Sequence, residues 1–132
     1  MSERGPNSIL TPLRRVRHLG AAHSGTRHFW HQRLTAVANI PLTILLVLIV
    51  IGLLGRNHAA VVQILGSTPV AIVMLLFIIS SVYHMWLGMQ VIIEDYVHDE
   101  LLKVLALMGN TFFCFATGLA AIFAILKLSF GL

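Results

Sequence analysis

The chain has 132 residues, of which 58% are hydrophobic and only 11% are charged, and its mean hydropathy is +0.88. A soluble domain carries about 25% charged residues, so this composition excludes an ordinary soluble enzyme and indicates a small membrane protein. The net charge is +4, and the single cysteine excludes an intrachain disulfide and a metal site built from several cysteines.

The first 33 residues are basic. They contain one acidic residue, Glu3, and six arginines: Arg4, Arg14, Arg15, Arg17, Arg27 and Arg33. This segment leads directly into an apolar run, so a topology signal that touches anionic lipid is a better interpretation than nucleic-acid binding. The positive-inside rule predicts a cytoplasmic N-terminus in a bacterial inner (plasma) membrane. The mitochondrial inner membrane is the alternative, because transit peptides are also rich in arginine and poor in acids.

Three apolar segments follow, at about 34–54, 70–93 and 104–126. Each is near the roughly 20 residues that cross a bilayer as a helix. Backbone groups cannot stay unpaired in lipid, so these segments should be helical. The predicted fold is an all-α membrane protein with three transmembrane helices in residues 34–132, preceded by a basic cytoplasmic segment at 1–33.

The two connections predict how the helices are arranged. Residues 55–69 hold Gly and Pro end signals around an apolar middle that suits a short interfacial helix. Residues 94–103 are a tight acidic link, so spans two and three should be antiparallel neighbours. Small side chains recur at helical spacing along the third span, at Cys114, Gly118 and Ala121, and predict close helix packing there.

A histidine lies well inside the second span. In a spanning helix this residue usually faces protein or a water-filled cavity. For His84, the residues alone leave three roles open: a haem ligand, a proton relay, or a hydrogen bond between helices. Gly88 lies about one turn away on the same helical face. Its missing side chain would leave room for a flat macrocycle.

The second span ends on Asp95 and Tyr96. Tyrosine commonly anchors a helix at the membrane interface, so a simple helix end is one interpretation. The other is a quinone pocket, where a phenol donates to the quinone carbonyl and a carboxylate connects it to water. Arg33 and His28 are predicted on the same membrane side. The planar guanidinium of Arg33 suits a carboxylate, either Asp95 or a haem propionate.

The stretch HMWLGMQVIIEDY, residues 84–96, combines these features in one pattern: His, then Trp-x-Gly-Met, then Asp-Tyr. A weaker second element runs from Gly25 to Arg33 and continues into Thr35 and Ala36. With these motifs and three spans, nearly the whole chain resembles the D-type hydrophobic membrane anchor subunit of succinate dehydrogenase, in respiratory complex II.

The resemblance implies a role for each matched residue. His84 would be an axial ligand to the iron of haem b, and Tyr96, with Asp95 beside it, would bind ubiquinone. Arg33 and His28 would lie near the haem propionates or the quinone pocket.

The resemblance also implies three partners: a second three-helix anchor (the cytochrome b subunit), an iron–sulfur subunit and a flavoprotein subunit. No residue catalysing succinate oxidation is expected here, since the chain has neither a Gly-rich dinucleotide loop nor clustered cysteines. Two alternatives stay open: the anchor of a fumarate reductase, and a small non-enzymatic assembly protein in which His84 only links helices.

Overall fold

The computed structural model describes residues 24–131, and this part of the chain is helical, with no β-strand. Its four helices are α1 (Ser24–Leu53), α2 (His58–Leu65), α3 (Thr68–Tyr96) and α4 (Glu100–Phe130). The earlier part of the basic segment, with Arg4, Arg14, Arg15 and Arg17, lies outside the described residues. The predicted all-α class and three long helices are confirmed.

Each predicted span coincides with a helix: α3 and α4 extend beyond their spans at both ends, and α1 extends beyond its span at the N-terminal end. The apolar helices long enough to cross a membrane are Thr26–Leu53, Thr68–Tyr96 and Glu100–Phe130. The difference is largest in α1, which begins at Ser24 although the predicted span begins near residue 34. Hydropathy marks where lipid begins, whereas a helix can continue through polar residues, because most of them have helix propensities close to those of apolar residues. Residues 26–33 contain no glycine or proline, so the helix runs straight through them.

The central helix of the bundle is α3, which packs against α1 on one side and α4 on the other. Helices α1 and α3 are antiparallel, because His28 meets Gln90 near one end and Asn39 meets Ser81 deeper in the pair. Only residues 97–99 separate α3 from α4. The predicted antiparallel pairing of these two helices is confirmed.

The small side chains of α4 face α3. Cys114 is only 2% exposed, and a Cβ placed on Gly118 would lie 3.3 Å from Cγ1 of Val82. Four residues earlier than Cys114, the side chain of Asn110 donates from Nδ2 to the carbonyl oxygen of Trp86 at 3.1 Å. The close packing predicted for this face of the third span is confirmed.

Most large apolar side chains of the bundle are exposed. Among the residues whose burial the structure describes, 26–131, the buried apolar side chains are five: Ala71, Leu87, Ile93, Cys114 and Ile125. The most apolar window of α1 contains no buried residue at all. A surface of this kind would aggregate in water, so its natural surroundings are lipid tails and other membrane helices. The protein is a multi-pass membrane protein.

The loop between the first two spans contains the short helix that its apolar middle predicted. Asn57 starts α2 by accepting a hydrogen bond at Oδ1 from the backbone N–H of Ala60, at 2.9 Å. Gly66 ends α2 against the last turn of α4. A Cβ at Gly66 would lie 2.7 Å from the carbonyl oxygen of Leu128 and 3.0 Å from that of Val62.

We expect Gly66→Ala to destabilise the bundle by about 1–3 kcal/mol, because backbone oxygens cannot move aside cheaply. The measurement is the thermal transition of the detergent-solubilised protein. Gly52→Ala is the matched control at the same end of the bundle, since no heavy atom lies within 4 Å of its added Cβ. Equal transition temperatures for the two variants would contradict this close approach.

Candidate functional site

Polar side chains line the contact between α1 and α3, and we call this set the polar seam. It consists of four pairs: His28 Nε2 with Gln90 Oε1 at 3.0 Å, His31 Nδ1 with Tyr83 Oη at 2.8 Å, Thr35 Oγ1 with His84 Nδ1 at 3.0 Å, and Ser81 Oγ with Asn39 Oδ1 at 3.4 Å. All eight side chains are half-buried. Such contacts are each worth about 0.6–2 kcal/mol in a membrane, so together they fix how α1 sits on α3.

His84 is held within the seam through one ring nitrogen. Its Nδ1 contacts Oγ1 of Thr35, and that hydroxyl also lies 2.9 Å from the carbonyl oxygen of His31. Within residues 24–131, the other nitrogen, Nε2, makes no hydrogen bond. The structure therefore positions an imidazole inside an apolar span with one nitrogen bound and the other available as a ligand.

Gly88 makes room for a protein side chain of α1. A Cβ at this position would lie 3.2 Å from Nε2 of Gln32, whereas the sequence suggested clearance for a macrocycle. The reason is that the His84 face of α3 is the face that packs on α1. The other amide atom of Gln32, Oε1, is buried and has no hydrogen-bond partner in the described part of the chain.

The antiparallel register places Arg33 at the depth of His84. Arg33 lies between His31 and Thr35, whose partners on α3 are Tyr83 and His84. Asp95 is eleven residues beyond His84, which is about 16 Å along the helix. No ion pair joins Arg33 to Asp95 in the part of the chain that the structure describes. Of the two carboxylate partners considered for Arg33, Asp95 is therefore out of reach.

The exposed Arg33 guanidinium instead lies over the ring of Phe29, with Cζ 4.8 Å from the ring centroid. A cation–π contact of this kind is worth about 0.5–2 kcal/mol. Arg33 makes no ion pair within residues 24–131, and this contact with Phe29 is the interaction that the structure gives its charge.

Asp95 and Tyr96 occupy the last turn of α3 and are exposed, with Tyr96 at 77%. They lie at the end of the bundle where α1 starts, as predicted. His28 is the seam residue nearest this end, because it pairs with Gln90, six residues before Tyr96. The register thus places the predicted site residues at two depths along the helices. Arg33 and His84 lie at one depth, and His28 lies nearer to Asp95 and Tyr96 at the end of α3.

An apolar groove of about 400 Å³ lies between α3 and α4, on the side of α3 away from the Thr35 contact. Val82, Trp86, Cys114 and Gly118 are among the residues that line it. Neither His84 nor Tyr96 contributes to its walls. This groove is therefore separate from the predicted haem and quinone residues.

The geometry defines a small helical membrane protein with three spans and a histidine-containing polar seam. The family described as "Succinate dehydrogenase/Fumarate reductase transmembrane subunit" matches residues 8–124, and the chain belongs to this family. The resemblance inferred from the motif at residues 84–96 is confirmed.

Curated relatives agree with this assignment. The "Succinate dehydrogenase hydrophobic membrane anchor subunit" of Paracoccus denitrificans is 30% identical over 122 residues, covering 92% of this chain and 94% of that protein. The protein of the same name from Rickettsia bellii (strain RML369-C) is 29% identical over 111 residues, covering 84% and 89%. The "Succinate dehydrogenase membrane anchor subunit" of Reclinomonas americana is 30% identical over 93 residues, covering 68% and 78%. No solved structure matches the chain.

Proposed function

We propose that this chain is the membrane anchor subunit of a succinate dehydrogenase, which holds haem b and forms part of the ubiquinone site. The names of its curated relatives support the assignment as an anchor subunit. The main structural support for the haem site is His84, whose imidazole lies inside a span. Its Nδ1 is hydrogen-bonded to Thr35, and its Nε2 is unpaired within the described residues. That is the arrangement a neutral imidazole needs to bind iron.

The residues present fit a haem. This chain would offer one ligand to the iron of haem b, Nε2 of His84. The second ligand would come from the partner anchor, the cytochrome b subunit. Arg33, at the same depth, would bind the propionates through its planar fork, with His28 as a further donor nearer the membrane surface. Haem b, when bound, supplies reversible one-electron transfer.

The quinone site would be at the exposed end of α3. Quinone arrives through lipid and protons arrive through water, so both must meet where the membrane ends. The Tyr96 hydroxyl would donate a hydrogen bond to the quinone carbonyl oxygen as negative charge develops there. Asp95, exposed beside it, would exchange protons with water.

The proposed orientation places the start of α1 and the end of α3 on the cytoplasmic side. Arg27 and Arg33 support it together with the basic residues before them, while Arg56 alone lies in the first loop. A bacterial inner membrane is the proposed location, and the mitochondrial inner membrane is the alternative. The flavoprotein and iron–sulfur subunits would dock on this side, and succinate oxidation would occur on the flavoprotein and not on this chain.

Fumarate reductase is the second candidate, because the family's description names both enzymes. The curated relatives above are all named as succinate dehydrogenase subunits, which favours the first. A non-enzymatic assembly protein would need only the structural role of His84.

Purification of the tagged chain in mild detergent tests the proposal. We expect a flavoprotein, an iron–sulfur protein and a second three-helix anchor to co-purify. We also expect a b-type band in the reduced-minus-oxidised spectrum and succinate-dependent reduction of ubiquinone. A chain that purifies without these subunits and without haem would contradict the proposal and favour an assembly role.

A further inference from the structure

We infer that Thr35 is a positioning residue for His84, whose ring it holds in the Nδ1–H tautomer so that Nε2 presents its lone pair to a metal. The inference rests on the proposed haem role of His84 and adds to it a residue on another helix. It concerns a side chain that the sequence motif did not assign to any site.

The direction of the hydrogen bond follows from the proton count at Thr35. Its hydroxyl lies 2.9 Å from the carbonyl oxygen of His31 and 3.1 Å from that of Gln32. Carbonyl oxygens carry no proton, so the Thr35 hydroxyl must donate its own proton toward these two carbonyls. Threonine side chains in helices commonly make this hydrogen bond to the preceding turn. What Oγ1 then offers to His84 is a lone pair.

The proton between Oγ1 and Nδ1 therefore belongs to the imidazole. The two atoms are 3.0 Å apart, a normal length for N–H···O. A neutral imidazole has one N–H and one lone pair, and fixing the N–H at Nδ1 leaves the lone pair at Nε2.

The surroundings explain why the span needs this contact. His84 and Thr35 are both half-buried in the contact between two membrane-spanning helices, and Oγ1 of Thr35 is the acceptor that the described residues offer to Nδ1. Thr35 itself is held by α1, and the neighbouring His31 ring is fixed by the Tyr83 hydroxyl at 2.8 Å. The acceptor is thus rigid, and a rigid acceptor both orients the ring and raises the basicity of Nε2.

The test compares Thr35→Val, Thr35→Ser and Thr43→Val in the purified complex, with the haem midpoint potential and its low-temperature EPR signals as readouts. Valine keeps the branched shape and removes the acceptor. Outer-sphere partners of metal-binding histidines typically change affinity by about 10–100-fold. If ferric haem loses a tenfold preference over ferrous haem, the midpoint potential rises by about 59 mV for a one-electron couple. We expect a rise of this order in Thr35→Val, together with altered EPR g-values.

Thr35→Ser keeps the hydroxyl and should remain close to wild type. Thr43 lies on the same helix but is exposed, so Thr43→Val should leave the potential unchanged. If Thr35→Val does not assemble, Thr35→Ala also lacks the hydroxyl and should show the same rise. A wild-type potential and EPR spectrum in the variant without the hydroxyl would overturn the inference about Thr35 alone. A b-type haem that survives His84→Ala would instead overturn the proposed haem site.

Discussion

A complex carrying His84→Ala is expected to lose its b-type haem while the subunits stay together. Removing the imidazole deletes the only iron ligand that we propose for this chain. By contrast, the structural cost is small, because one hydrogen bond to Thr35 in a membrane is worth about 0.6–2 kcal/mol. The measurements are the reduced-minus-oxidised spectrum and the haem content per complex.

His58→Ala is the matched control for this experiment. His58 is exposed in the first turn of α2, at the opposite end of the bundle from the start of α1. Its replacement should leave the b-type band unchanged. A band that persists in His84→Ala with unaltered intensity would reduce His84 to a link between α1 and α3.

Tyr96→Phe is expected to lower quinone reduction by about 100-fold or more, the usual contribution of a positioned proton donor. The phenol is 77% exposed, and its hydroxyl makes no hydrogen bond within residues 24–131, so its loss should not disturb folding. Succinate oxidation with a soluble artificial electron acceptor should continue at the wild-type rate, because that reaction does not use the quinone site.

The two assays on one preparation separate the chemistry of Tyr96 from assembly. A selective loss of quinone reduction, with the haem spectrum intact, supports a hydroxyl that acts on quinone. If quinone reduction and succinate oxidation fell equally, Tyr96 would act on assembly. If both rates stayed at the wild-type level, the Tyr96 hydroxyl would have no role in the quinone site.

Much of the fold could be predicted from the sequence because its main determinants are local. Apolar length and the need to pair every backbone group predict the three spans. The short acidic link predicts that α3 and α4 are antiparallel, and the small residues of α4, such as Gly118, predict its packing face. The start of α1 at Ser24 was not predicted, since hydropathy follows the lipid boundary and not the end of the helix.

The candidate site could be predicted only in part, because it depends on the register between two helices. His84, Asp95 and Tyr96 stand out on one segment, but the sequence alone does not show what faces them. A signal was present on α1, where polar residues recur at helical spacing at His28, His31, Thr35 and Asn39. This spacing places the four residues on one face of α1 and would have indicated a polar contact with another helix. It would not have shown that Thr35 contacts His84 or that Arg33 lies at the same depth as His84.

The polar seam also bears on how the protein tolerates membranes of different thickness. Tyr96 and His84 are on one continuous helix, about 18 Å apart along its axis, and four side-chain pairs tie that helix to α1. A thinner or thicker bilayer is accommodated by tilt or by local deformation of the lipid. The axial distance between Tyr96 and the half-buried imidazole of His84 therefore stays constant. Any electron that passes between the proposed quinone and haem sites would cross the same distance whatever the lipid composition.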